Sequence, residues 1–180
     1  MEFTSLLLSG VPGSGKSTLA DELKKHITWP YVGIGDLFRA RHSEQYPHSE
    51  VSFQDYLKTL TSEDHKKVNE EIRELLKKGG IFVGVRHDCV ADGIDGVLKI
   101  FLTADIETRV KRAVGTKKYT QKTPDEIRRD LEWREEYECS FAKRLYGDLY
   151  DYRNPENYHL VINSTKLELP EKVKVVLSLL

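Results

Sequence analysis

The stretch Gly10-Val11-Pro12-Gly13-Ser14-Gly15-Lys16-Ser17 decides the reading of this chain. It matches G-x-x-x-x-G-K-[ST], a loop that cradles phosphates. The apolar run Phe3–Leu8 precedes it and a helical pattern over Thr18–His26 follows. Strand, glycine-rich turn and helix start, in that order, are the setting the motif requires. Gly13 and Gly15 can take positive φ and carry no Cβ, so backbone N–H groups can converge on phosphate oxygens. The helix opening near Lys16 adds unpaired N–H groups and the positive end of its dipole. Lys16 brings charge to the β- and γ-phosphates, and the Ser17 hydroxyl can ligate Mg²⁺. The expected triphosphate site is thus Gly10, Gly13, Ser14, Gly15, Lys16, Ser17 and Thr18. A glycine-rich turn that binds nothing is the alternative, and the full match in the right context weighs against it. The loop alone leaves the fate of the γ-phosphate open.

Working outward, short runs rich in Val, Ile, Leu or aromatic residues mark further strands at Tyr31–Ile34, Ile81–Val85, Val97–Leu102 and His159–Ile162. Helical patterns lie between them. Ser62–Lys78 carries Val68, Ile72, Leu75 and Leu76 on one stripe and ends at Gly79-Gly80. Ala104–Val114 and Pro124–Tyr146 are also helical. Thr123-Pro124-Asp125-Glu126 opens the latter with a capping hydroxyl, a proline that needs no N–H and two acids for the dipole. Glu168–Leu180 closes the chain as an amphipathic helix. This alternation predicts a single α/β domain over residues 1–180, a five-stranded parallel sheet with helices on both faces. Residues 41–61 hold His42, Pro47 and His48 and few core positions, and residues 115–123 are polar and basic without periodicity. Both read as surface loops or small mobile subdomains, where lids sit in phosphate-loop proteins.

The 180 residues suffice for one domain with a sizeable core. Hydrophobic residues at 39% and charged residues at 32% place the chain among globular proteins. A net charge of −1 provides no general attraction to nucleic acid or anionic membrane, so basic residues must act locally. Cys89 and Cys139 stand far apart in no metal-ligand spacing and read as reduced thiols. With no membrane-span-length apolar run and strand one starting at once, the expected location is cytoplasmic.

Arginines supply the second half of the reading. Gly33-Ile34-Gly35-Asp36-Leu37-Phe38-Arg39 follows the second strand, and Arg86-His87-Asp88 follows the third. Strand ends of an open α/β sheet are ligand positions. Gly35 permits close approach of backbone to ligand, and arginines can fork onto a phosphate. A third group surrounds the candidate lid: Arg109 and Arg112 before it, Lys117, Lys118 and Lys122 within it, and Arg128, Arg129, Arg134 and Arg144 beyond it. Phosphoryl transfer relies on such cationic clamping. Individually, Arg128 and Arg129 read equally well as a solvated helix face paired to nearby acids.

Taken together, the chain resembles the nucleoside monophosphate kinases, and most the short cytidylate kinase-like P-loop proteins. The resemblance rests on Gly10–Ser17, Gly33–Arg39, the Ile81–Arg86 strand end, Asp95–Ala104, Arg134-Glu135-Glu136-Tyr137-Glu138, Leu145-Tyr146-Gly147 and Leu160–Thr165. It implies a P-loop NTPase fold with a monophosphate-binding region near 35–78 and a lid near 113–130. It implies a monomeric enzyme with MgATP as donor and a nucleoside monophosphate, CMP or dCMP, as acceptor, with neither nucleic acid nor membrane as partner. By position, Lys16, Arg112, Arg129 and Arg134 would be catalytic. Gly35, Asp36, Arg39, Arg86 and Asp88 would hold the acceptor. Ser17 would ligate the metal, with Asp36 or Asp88 acting through water. The chain departs from the family pattern at Gly84, where an acid is common, at Tyr137 and Phe141, where serine and arginine are common, and at His159. Arg144, on the same helical face as Phe141, is the expected substitute. Two other readings remain at this stage: a small-molecule kinase using Asp36 or Asp88 as base toward a hydroxyl, and a nucleotide-binding protein with little turnover.

Overall fold

A computed structural model describes residues 2–48 and 51–180. Strand β1 (Ser5–Gly10) is buried at every position and lies at the centre of a five-stranded parallel sheet. The other strands are β2 (Tyr31–Gly33), β3 (Gly80–Val83), β4 (Val97–Thr103) and β5 (Leu160–Asn163), in the order β2-β3-β1-β4-β5. Leu6 pairs in register with Ile81 on one side and Leu98 on the other. A central parallel strand is covered on both faces, so it reads as an unbroken apolar run. The period of two then divides its leucines between layers. Leu6 and Leu8 pack with Leu19 and Leu23 of α1 (Lys16–Leu23) and with Val173 and Val176 of α7 (Leu169–Leu177). Leu7 faces Phe38 of α2 (Ile34–Gln45) and Val68, Ile72 and Leu76 of α4 (Ser62–Lys78). Each buried leucine contributes about 2 kcal/mol.

The remaining helices build the edge around the loop. Between β4 and β5 run α5 (Ile106–Ala113) and α6 (Pro124–Tyr146). The expected start of α6 is present in full: Thr123 and Glu126 form a reciprocal capping box with Pro124 inside it. Two expectations need correction. Residues 41–61 are not mainly loop: α2 runs on to Gln45, and α3 (Phe53–Thr59), capped by Ser52, buries Tyr56. Their core residues are aromatic and mixed with histidine, which hid the period. Residues 115–123 contain a short 3₁₀ turn, Lys117–Tyr119, whose Tyr119 is buried with Val110, Ala113, Ile127 and Leu131. Tyr119 also donates to Asp130. The lid region therefore has its own small core.

β1 ends where the chain must turn tightly. Gly10 has φ +147°, and a Cβ there would fall on the Leu102 carbonyl oxygen and 2.9 Å from that carbonyl carbon. Gly93 has φ +71° and open space around it. Gly10→Ala should therefore cost about 3 kcal/mol or more, since rigid backbone must move. Gly93→Ala should cost only about 1 kcal/mol, for the left-handed conformation. Urea denaturation of both variants checks this; equal losses would contradict it.

Candidate active site

Gly10, Gly13 and Gly15 all hold positive φ, so the turn after β1 adopts a backbone that L side chains disfavour. Gly15, at φ +94°, caps α1 without a side-chain bond, leaving the N–H groups of the first turn directed out of the loop. Ser14 is fully buried. Ser17 and Thr18 are exposed on the first turn of α1. The Lys16 ammonium folds back over the loop and donates to the carbonyls of Gly10 (2.8 Å) and Val11 (2.9 Å). It is buried and meets no carboxylate within ion-pair distance among the described residues. Burial is the main cause that lowers its pKa to about 7; Arg134 adds to this, and Glu138 opposes it. A polyanion seated in the loop would counter both causes.

Three arginines surround the loop. Arg112, on the last turn of α5, donates to the Ser164 hydroxyl (2.8 Å), the Ser164 carbonyl (2.6 Å) and the Ser14 carbonyl (3.4 Å). Lys172 donates to the same hydroxyl at 3.0 Å. Neither cation has a carboxylate within 4.0 Å among the described residues. Arg134 is half-buried on α6, close enough to Lys16 to depress its pKa, and likewise forms no ion pair. Arg109 was named in the sequence without a role. It is buried, donates to the Pro12 carbonyl (3.3 Å) and is paired with Glu135 (2.7 Å). Its Cβ is one of the two atoms nearest to where a Cβ on Gly13 would stand, at 3.3 Å. It braces the loop from below. Arg129 lies exposed on the first turns of α6, with no ion pair or side-chain hydrogen bond among the described residues.

At the neighbouring strand end, Arg86 sits between Glu138 and the face of Phe141, with its guanidinium 4.3 Å from the ring centre. Arg144 covers the same ring at 5.1 Å. Two guanidinium groups thus lie over one ring. Glu138 had no assigned role in the sequence; its place four residues after Arg134, on the face turned to the sheet, was the available signal. Arg39 is exposed and pairs with Asp36 at 3.1 Å, one turn along α2, beside Gly35. Asp88 does not share this surface. It is 1% exposed and accepts from the Tyr150 hydroxyl at 2.5 Å, and burial raises its pKa. The geometry thus argues against acceptor contact or metal support by Asp88, because its oxygen is already engaged in a closed environment. His87 is also buried; its ring fills the space beside Gly84, where an added Cβ would lie 2.7 Å from Nδ1.

The residues fit a nucleoside triphosphate, with three glycines at positive φ, a helix N-terminus and a buried lysine unpaired among the described residues. For a divalent cation they offer the Ser17 hydroxyl, exposed on the first turn of α1, while Asp36 is paired with Arg39. No cluster of three or more His, Cys, Asp or Glu suited to a metal exists among the described residues. This donor set fits a magnesium ion carried by the triphosphate, which keeps most of its waters.

The sequence of residues 7–166 matches the model of the cytidylate kinase-like family. The chain belongs to that family. It is a P-loop kinase. It is 31% identical to the cytidylate kinase of Pyrobaculum neutrophilum, covering 94% of this chain and 89% of the other. It is 28% identical to that of Halobacterium salinarum, with 88% and 80% covered. Among solved structures, an uncharacterized protein from Eubacterium ventriosum superposes with a TM-score of 0.72 at 13% identity, over 97% of both chains. Shikimate kinase from Bacteroides thetaiotaomicron gives 0.58 at 16%, over 98% of this chain and 97% of the other. These likenesses show the fold.

Two buried histidines lend the region around Arg86 a pH dependence. Burial, then Arg86, lowers the pKa of His65 to about 4 and that of His87 well below its ordinary value. In the unfolded chain both protonate near their usual pKa of about 6.5. Below that pH the unfolded state binds more protons, so stability is complete above about pH 6.5 and falls toward pH 4. Each histidine contributes up to about 1.4 kcal/mol per pH unit. Thermal melting between pH 7 and 5 should show a falling midpoint, with a shallower fall in His65→Phe. A midpoint independent of pH would contradict this.

Proposed function

We propose that this chain transfers the γ-phosphoryl group of MgATP to the phosphate of a nucleoside monophosphate. CMP and dCMP are the acceptors we propose first, supported by relatives named cytidylate kinase. The observation that carries the reading is the uneven pairing of cations around one sheet edge. Among the described residues, Lys16, Arg112 and Arg134 have no carboxylate within ion-pair distance, whereas Arg86 and Arg39 are held beside Glu138 and Asp36. Unpaired cations in a partly buried edge await a polyanion. In the proposed reaction an acceptor phosphate oxygen attacks the γ-phosphorus in line, one P–O bond forms, the bond to the β,γ-bridging oxygen breaks, and ADP departs. Magnesium, bound with the triphosphate, would neutralise charge on its oxygens. Lys16 would turn from its own loop carbonyls to the phosphates. Arg112, fixed by Ser164, and Arg134 would stabilise the transferring group. Arg129 would join when the lid, anchored on Tyr119, closes and excludes water. Arg86 and Arg39 would hold the acceptor phosphate, with Gly35 letting it approach α2. An acceptor that is already an anion needs no general base. The proposed setting is a monomeric cytoplasmic enzyme acting on small nucleotides without nucleic acid or membrane, and no helix is long and apolar enough to cross a membrane among the described residues.

ADP formation from MgATP with CMP, dCMP, UMP and AMP tests this. At least one acceptor should stimulate turnover at least about tenfold over ATP alone, and Lys16→Ala should lower kcat by about 10²-fold or more. Failure of all four acceptors contradicts the reading. Asp36→Asn should keep a large part of the activity. A loss of about 10³-fold would instead mark Asp36 as the base of a hydroxyl kinase.

A further inference from the structure

Lys172 carries a charge into a place where packing alone would favour an apolar side chain. It lies four residues before the fully buried Val176 on α7, so both share the face that packs on α1. Lysine stems ordinarily carry their ammonium out to water. This one does not: Lys172 is 5% exposed, and its Nζ donates to the Ser164 hydroxyl at 3.0 Å, its one side-chain hydrogen bond among the described residues. No carboxylate lies within 4.0 Å of it among those residues. Burial lowers its pKa, and the charge of Arg112 lowers it further. Ser164 is fully buried and firmly placed, since its N–H donates to the Thr103 carbonyl at 2.7 Å where β4 and β5 end their pairing. Its hydroxyl oxygen has two lone pairs. Lys172 takes one, and Arg112 takes the other at 2.8 Å. Arg112 is exposed, and its Nη1 stands 3.9 Å from where a Cβ on Gly15 would lie. Buried lysine, buried hydroxyl and exposed arginine thus form a line that ends at the start of α1.

We infer that Lys172 is a positioning residue for the donor nucleotide, holding Arg112 toward the phosphate loop through the Ser164 hydroxyl. The inference rests on the triphosphate half of the kinase reading and adds to it a residue that touches no substrate. Geometry and charge act in the same sense. With one lone pair occupied by the ammonium, Ser164 offers Arg112 a single direction of approach. Without the ammonium the hydroxyl turns freely, and the guanidinium gains other positions. Two cations that share one oxygen also repel each other, and only Arg112 has open space to move into. A polyanion in the loop relieves that repulsion. A buried charge without a carboxylate costs the empty protein stability that an apolar residue of similar volume would restore. Lys172 therefore lowers the stability of the empty protein and raises its affinity for the nucleotide, the pattern of a functional residue and not of a packing one.

The test combines thermal melting with the affinity for MgADP, a probe that does not react, measured by calorimetry on wild type, Lys172→Met, Lys172→Gln, Ser164→Ala and the Lys172→Met/Ser164→Ala double variant. Without nucleotide, Lys172→Met should melt no lower than wild type. It should bind MgADP about fivefold more weakly and gain a smaller rise in melting midpoint from it. Lys172→Gln keeps a donor for Ser164 without the charge and should fall between the two. In the Ser164→Ala background, Lys172→Met should lose most of its effect on binding, since the two residues act in series. In turnover, KM for MgATP should rise in Lys172→Met while KM for the acceptor stays unchanged. A lower melting midpoint with unchanged MgADP affinity would make Lys172 a packing residue and overturn the inference, with the kinase reading left standing. An undiminished effect in the Ser164→Ala background also overturns it. Weakened MgADP binding in Lys172→Met, with no stimulation by any monophosphate in the acceptor assay, supports this role of Lys172 and removes the kinase reading alone.

Discussion

The close approach of β1 to β4 at Gly10 and Leu102 governs the rest of the site. The Val11 N–H donates to the Leu102 carbonyl at 3.2 Å, so the strands remain paired to the last residue before the loop. Only a residue without a Cβ permits this. Because β4 leads into α5, that pairing also fixes where α5 begins, and so brings Arg109 and Arg112 beneath and beside the loop. The phosphate loop and its arginines come from different segments, yet a single backbone contact sets their distance.

Electrostatics divides the site into two halves built on different principles. On the loop side, Lys16, Arg112 and Lys172 are held by hydroxyls and carbonyls, which orient them without neutralising them, while Arg109 beneath the loop is paired with Glu135. Ser164 does this for Arg112 and Lys172 together. On the side of Arg86 and Arg39, each guanidinium has a resident carboxylate. An incoming anion gains more from an unpaired cation than from one it must share. The asymmetry fits a tightly held polyanion on one side and a more readily exchanged one on the other.

Much of this was legible in the sequence because it depends on local rules. The loop, the five strands, the Thr123–Glu126 start of α6 and the positive φ of Gly13 and Gly15 follow from spacing and period alone. What escaped the sequence depends on contacts between distant segments. Glu138 meets Arg86 across 52 residues, and Arg112 meets Ser164 across another 52. Neither pair has a local signature. Asp88 looked available beside Arg86, and only tertiary packing of Tyr150 against it shows that it is closed off. Helix α3 was hidden because its buried face is aromatic and interleaved with polar residues, so no clean apolar period appears.

The ring of His87 in the space beside Gly84 carries a consequence for how this chain can change. A side chain at position 84 would meet both Nδ1 of His87 and Cδ1 of Ile34, at 2.7 and 2.9 Å. An acid introduced there would meet a filled space and force both side chains to shift. The route to it passes through a smaller residue at position 87 first. The two positions are expected to be coupled: enlarging Gly84 first forces His87 and Ile34 to shift at a cost of about 1–3 kcal/mol, which a smaller residue at position 87 would relieve.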